Sequence, residues 1–157
     1  MCPVPETPRG MWFEEFEEGQ IIVTAGRTIT EADIVNFAGL SGDYNQIHVD
    51  QAFAEAAPFG QRVAHGLLGL SIASGLAVQT GVMAGTIMGF REIKNWKFSN
   101  PMFIGDTIND RLTVNTVKAM PRLGGGLVEI EMAVINQRDE NVMKGTWSVL
   151  IQSKPAA

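Results

Sequence analysis

Apolar and polar residues alternate along most of the C-terminal half of the chain. Val128, Ile130, Met132 and Val134 alternate with Glu129, Glu131 and others, and Met143, Gly145, Trp147, Val149 and Ile151 alternate with Lys144, Thr146 and Ser148. A period of two puts one face of a strand on a core and the other toward solvent. Ile108, Leu112 and Val114 share one parity in the same way, and the segments NQRDEN and LGGG between the runs read as hairpin connections. A further strand begins near Thr86, and residues Ile21 to Ile29 read as a strand near the start of the chain.

Between these strands the pattern turns helical. Thr30 as N-cap with Asp33 at N3 opens a short helix with Ile34, Phe37 and Ala38 on its apolar face, closed by Gly39 and Gly42. The loop SGDYNQIHVD follows, then a helical stretch from Gln51 to Ala57 that Pro58 stops. A longer helix runs from about His65 to Thr80 and ends at Gly81. It is apolar all round, with a stripe of small residues, Gly66, Gly69, Ala73 and Ala77, beside Leu68, Ile72 and Leu76. Such a helix is buried on most sides, and its small stripe admits a close neighbour, expected to be the backbone of a sheet.

From Val63 to Phe90 no side chain is charged when His65 is neutral, a length that meets the crude criterion for a membrane span. Glycines 66, 69, 75, 81, 85 and 89, with Ser71, Ser74, Gln79, Thr80 and Thr86, spread the aliphatic residues too thinly for that, so a helix followed by a strand is the reading. The order is one strand, short helices, one long buried helix, then four strands in a mostly antiparallel meander. This is an α+β chain, with an antiparallel sheet wrapped around a long helix.

The 157 residues, 17.0 kDa, suit one domain, able to bury roughly 70% of the surface its unfolded chain exposes. Residues 12–152 are expected to form it, between an extended or disordered stretch at 1–11 and a tail at 153–157. A net charge of −5 argues against a nucleic-acid partner, which needs a basic face. His48, His65 and Cys2 are the only histidines and cysteine, so neither a thiolate–imidazole zinc site nor a disulfide framework is expected. The opening MCPVPETPRG reads as neither a signal peptide nor a transit sequence, and a cytoplasmic location without a membrane partner is expected.

Two short stretches concentrate groups able to do chemistry. LSGDYNQIH brings Asp43, Asn45 and His48 into one loop held by Ser41 and Gly42. The plain alternative is a turn, since Asp and Asn are common turn formers. FGQRVAHGLLGL places Gly66 in the first turn of the long helix, where backbone N–H groups lack intrahelical partners and the dipole is positive. A glycine there lets a carbonyl oxygen approach an oxyanion-type site, although tight packing alone would also demand it. His65 beside it could cap or pack. An acid/base pair and an oxyanion site are thus supplied without a nucleophile, because no Ser sits in a G-x-S-x-G elbow. Proton transfer next to an activated carbonyl fits best.

The chain resembles the MaoC-like, or hydratase-2, branch of the hotdog-fold superfamily, the (R)-specific enoyl-CoA hydratases. Phe37, Leu40, Ser41, Gly42, Asp43, Asn45, Ile47, His48 and Ala54 match the family pattern in order, and Gln46 stands where the family usually has Pro. VAHGLLGLSIASGL is similar to the family's helix, and KFSNPMFIGDTI, with Pro101, Gly105 and Asp106, to its following strand and turn. The resemblance spans roughly residues 12–152. It implies a hotdog domain, a homodimer or an assembly of dimers, and a thioester substrate on CoA or acyl carrier protein, with no metal and no cofactor. It assigns Asp43 and His48 to activating water, Asn45 to holding loop and water, and the Gly66 N–H to the thioester oxygen. Ser74, His65 and Gly42 would line the substrate site. Water would add to C3 of a trans-2-enoyl thioester to give an (R)-3-hydroxyacyl product, or the reverse. A hotdog thioesterase and a non-catalytic acyl-binding subunit are the rival readings. Arg62, Arg91, Lys94 and Lys97 are candidates for CoA phosphates, against solvated surface charge.

Overall fold

The computed structural model describes residues 9–156, so Cys2 and residues 1–8 of the expected N-terminal stretch lie outside the described residues. Thr30 is extended, its hydroxyl accepts from the Asp33 N–H, and the Asp33 carboxylate accepts from the Thr30 N–H at 2.8 Å. This reciprocal cap starts α1 (Glu31–Ser41), which runs through Gly39 and ends at Gly42 with φ of 77°. The expected loop is interrupted by one helical turn, α2 (Gln46–Val49), because Asn45 Oδ1 accepts from the Ile47 N–H and caps it. Asp50 caps α3 (Gln51–Ala56) in the same manner, and the long helix is α4 (Gly66–Gln79).

The strands are β1 (Ile21–Val23), β2 (Arg27–Thr28), β3 (Ile87–Phe98), β4 (Thr107–Met120), β5 (Gly125–Asn136) and β6 (Asn141–Gln152). They form one antiparallel sheet in the order β1-β4-β5-β6-β3, with β2 also on β4. The expected strand from Ile21 to Ile29 is therefore two short ones. The ladder breaks at Ala25 and Gly26, while Thr24 stays bonded to Asp110 through its N–H and its hydroxyl. Nor are the four late strands a simple meander: β4, β5 and β6 are, but β3 pairs with β6. The segment from Ser99 to Asp106 is held across the sheet opening by the Ala64 N–H on Met102 O, 2.8 Å, and by a Val63–Phe103 bridge. That route carries the chain from one side of the sheet to the other before β4 starts.

Leu68, Ile72, Ala73, Leu76 and Ala77 of α4 are buried in one cluster with Ile108, Leu112, Ile130, Met132 and Val149 of the sheet. A helix held inside a curved antiparallel sheet is the hotdog architecture. Two details depart from the pattern reading. What fills the small stripe is side chain rather than sheet backbone: the Phe98 ring lies 2.9 Å from where a Cβ on Gly66 would stand, and the Met102 and Met143 methyls occupy the equivalent space at Gly69. The helix also keeps one open face, with Leu67 61% and Val78 57% exposed. Among the described residues no helix is long and apolar enough to cross a membrane.

Candidate active site

The peptide leading into α4 is bonded on both sides, since the Val63 N–H donates to Ile47 O of α2 and the Ala64 N–H to Met102 O. This fixes the start of α4 against the turn that carries His48. The His48 ring is 8% exposed, and its Nδ1 lies 2.7 Å from Val63 O. A carbonyl only accepts, so Nδ1 carries the proton and Nε2 keeps a free lone pair. His65 is the N-cap residue of α4, 2% exposed, with Nε2 2.9 Å from the main-chain oxygen of Asp43. By the same reasoning Nε2 carries its proton. The two imidazoles stack at 3.8 Å between centroids, inclined by 27°.

Asp43 is exposed, its Oδ1 accepts from the Asn45 N–H, and its own N–H donates to Ser41 Oγ. One ligand-type atom from each of Asp43, His48 and His65 lies within 4.8 Å of the others. That spacing resembles a metal site, but the directions do not. Imidazole lone pairs lie in the ring plane, and two stacked planes do not converge on one ion about 2 Å away.

His48 and Gly66 both line a cavity of about 330 Å³. Its other walls are mostly apolar, with Phe59 and Phe98 near the surface and Met102 and Met143 buried, and Ser99 and Asn100 are the polar exceptions. The Gly66 N–H, at the first position of α4, has no acceptor among the described residues. The Phe98 ring packed on Gly66 shows that packing calls for the glycine here. Behind the wall, Asp106 anchors the segment that carries Pro101 and Met102. Burial by itself pushes its carboxyl up, but hydrogen bonds from Gln137 Nε2, the Phe103 N–H and Arg138 Nη1 outweigh this and hold it below the usual range.

Asp43, His48, His65 and Gly66 are thus brought together, while three other expected site residues are placed differently. Asn45 acts locally as the cap of α2. Gly42 is the left-handed end of α1 and lines no part of this cavity. Ser74 faces a separate cavity of about 320 Å³ with Leu70, Phe90, Ile93 and Trp147. Of the phosphate candidates, Arg62 is bonded to Glu31 and Gln51, and Lys94 to Glu129 and Glu92. Arg91 and Lys97 form no ion pair among the described residues. The Val63 carbonyl, Phe98 and the Met102–Met143 pair were not legible in the sequence, since no local pattern marks a contact made across the fold.

The fold and site together define a class: a hotdog domain in which an Asp and a His lie close to a helix N-terminus, with a mostly apolar cavity beside the His. The family profile described as MaoC like domain matches residues 14–134, and the chain belongs to that family. It is 44% identical over 106 residues to the protein MaoC of Klebsiella aerogenes, a match covering 68% of this chain and 31% of that longer protein. It is 38% identical over 103 residues to an (R)-specific enoyl-CoA hydratase of Rhodospirillum rubrum, covering 66% and 69% of the two chains. Among solved structures, the R-hydratase PhaJ1 of Pseudomonas aeruginosa superposes with a TM-score of 0.79 at 28% identity, covering 92% of this chain and 88% of that one.

Proposed function

We propose that the protein is a hydro-lyase that hydrates trans-2-enoyl thioesters to (R)-3-hydroxyacyl thioesters, or catalyses the reverse dehydration. The observation that carries this is His48, its Nδ1 held by Val63 O and one ring nitrogen within 4.8 Å of an Asp43 carboxylate oxygen, lining a cavity together with Gly66, whose N–H has no acceptor among the described residues. Asp43 and His48 bind one water and divide the proton work. The hydroxyl adds to C3, the remaining proton goes to C2, and the thioester oxygen, enolate-like in between, is held by the Gly66 N–H. Asn45 shapes the turn that presents His48. Positioned proton transfer supplies about 10²–10⁴-fold and an oxyanion donor a further ~10²–10³-fold.

The functional unit we infer is a homodimer. The free edge of β3, with Phe90 and Ile93 exposed, adjoins the open face of α4 around Ser71 and Ser74, and a second copy would cover both. Purified protein is expected to sediment as a dimer and to bleach the conjugated enoyl absorbance of crotonyl-CoA or a longer-chain homologue without releasing thiol. Thiol release instead would make it a thioesterase. Tight binding without turnover would make it an acyl-binding subunit, and a monomer mass would sink the dimer.

The departure from the family at Gln46 is also testable. Gln46 is the first residue of α2, and Asn45 before it has φ −56° and ψ 134°, the conformation that residues preceding Pro favour. Gln46→Pro is therefore expected to keep turnover and to stabilise the fold by about 0.4–1 kcal/mol in thermal melts. Loss of turnover in a folded variant would show that the Gln46 side chain itself is used.

A further inference from the structure

We propose that His65 is a positioning residue that sets the distance between the acid–base pair and the start of α4; this rests on the hydratase reading of the site. Its neighbours argue for this role rather than for substrate contact. The side chain is 2% exposed and lines neither the His48 cavity nor the cavity at Ser74. Gly42, Asp43, Tyr44 and Asn45 are all exposed, and the other hydrogen bonds of this stretch are local: Gly42 N–H to Ala38 O, Asp43 N–H to Ser41 Oγ, Tyr44 N–H to Gly42 O, Asn45 N–H to Asp43 Oδ1, and the Ile47 and His48 N–H groups to Asn45. Such bonds join the loop to α1 and α2 on either side but do not tie it across the fold. The bond from His65 Nε2–H to Asp43 O spans 22 residues and ties the tip of the loop to the body of the fold.

The same ring fixes a second component. His48 has one edge held by Val63 O and one face covered by His65, which meets Phe37 at 5.0 Å. The His65 backbone in turn is the N-cap of α4, so the peptide bond after it carries the Gly66 N–H. One buried residue therefore links the carboxylate loop, the imidazole and the oxyanion donor. A displacement of about 1 Å among reacting groups is enough to cost on the order of 10²-fold in rate.

The test separates the donor from the ring. His65→Phe keeps a flat ring against His48 and removes the donor, whereas His65→Gln loses the ring but places an amide N–H where Nε2–H stood. The Phe variant is expected to lose about 10–100-fold in kcat with KM within about threefold, and the Gln variant to recover most of that loss. A folded Phe variant with wild-type kcat, or Phe and Gln variants equally impaired, would overturn the proposal. A role in stability alone would lower the melting temperature and leave kcat per folded molecule unchanged, which also overturns it. Because the chain has two histidines, ¹⁵N spectra of histidine-labelled protein give a readout free of turnover. Wild-type protein is expected to show one Nδ1–H and one Nε2–H tautomer, and His48→Gln to leave the Nε2–H one. A surviving Nδ1–H tautomer at His65 sinks the contact even where a variant fails to fold. A wild-type protein that turns over no enoyl thioester sinks the hydratase reading while leaving the tautomer result intact.

Discussion

Asp43→Asn and His48→Gln are each expected to reduce crotonyl-CoA hydration by at least about 10²-fold while the protein stays folded. Asn at 43 still offers an oxygen to the Asn45 N–H, and Gln at 48 places its amide where Nε2 stood, so it gives up the Nδ1–H bond to Val63 O along with the imidazole, and the far-ultraviolet spectrum and melting temperature check that the variant stays folded. What each removes is a group able to take up and return a proton. The effect should fall on kcat with little change in KM, as expected for interactions made in the transition state alone. The two residues act on one water, so the double variant should be little worse than the worse single one. Near-normal turnover in either folded variant would sink the assigned roles.

Where local physics decides, the sequence was readable in detail. The Thr30–Asp33 cap, the alternation in β5 and β6, and the stop at Gly81 each rest on neighbours within a few residues, and each stands in the structure close to where it was placed. What failed depends on distant partners. The ladder breaks at Ala25 and Gly26 while Thr24 stays bonded to Asp110, β3 pairs with β6, and Ala64 bonds Met102 in the segment that follows β3, at separations no periodicity reports. The site divides in the same way. Asp43, His48 and Gly66 could be named from two short motifs, but the carbonyl that sets the His48 tautomer and the residue that ties down the Asp43 loop come from contacts 15 and 22 residues apart. One signal was present and passed over: Asp110 shares the parity of Ile108, Leu112 and Val114, which places a carboxyl on the core face of β4.

That carboxyl should govern the stability of the protein near neutral pH. Asp110 is 0% exposed, and neither carboxylate oxygen has a hydrogen-bond partner among the described residues. Burial, with no compensating charge, pushes its pKa up to about 7 from an ordinary 3.8. Below pH ~4 the group is protonated in both folded and unfolded chains and sets no pH dependence. As the pH rises from there the unfolded chain ionises first, so unfolding releases a proton and stability falls by roughly 1.4 kcal/mol per pH unit. The loss is complete once the pH has passed through 7, at about 4 kcal/mol, an upper figure on the scale of a typical domain's total of ~5–15 kcal/mol. Asp110→Asn, nearly the same shape and never charged, is expected to match the wild type most closely near pH 4 and to exceed it by several kcal/mol at pH 8, read from denaturant midpoints across that range. Asp110→Val should gain further, because it also removes unpaired polar atoms from a site between Ile108 and Leu112. The carboxylates held below their ordinary range, such as Asp106 and Glu129, lose their stabilisation only as the pH falls through their lowered values, and they are the same in wild type and variants. The difference between the curves therefore isolates Asp110. Parallel curves for wild type and Asp110→Asn from pH 4 to 8 would mean that the folded chain supplies that carboxylate with a partner.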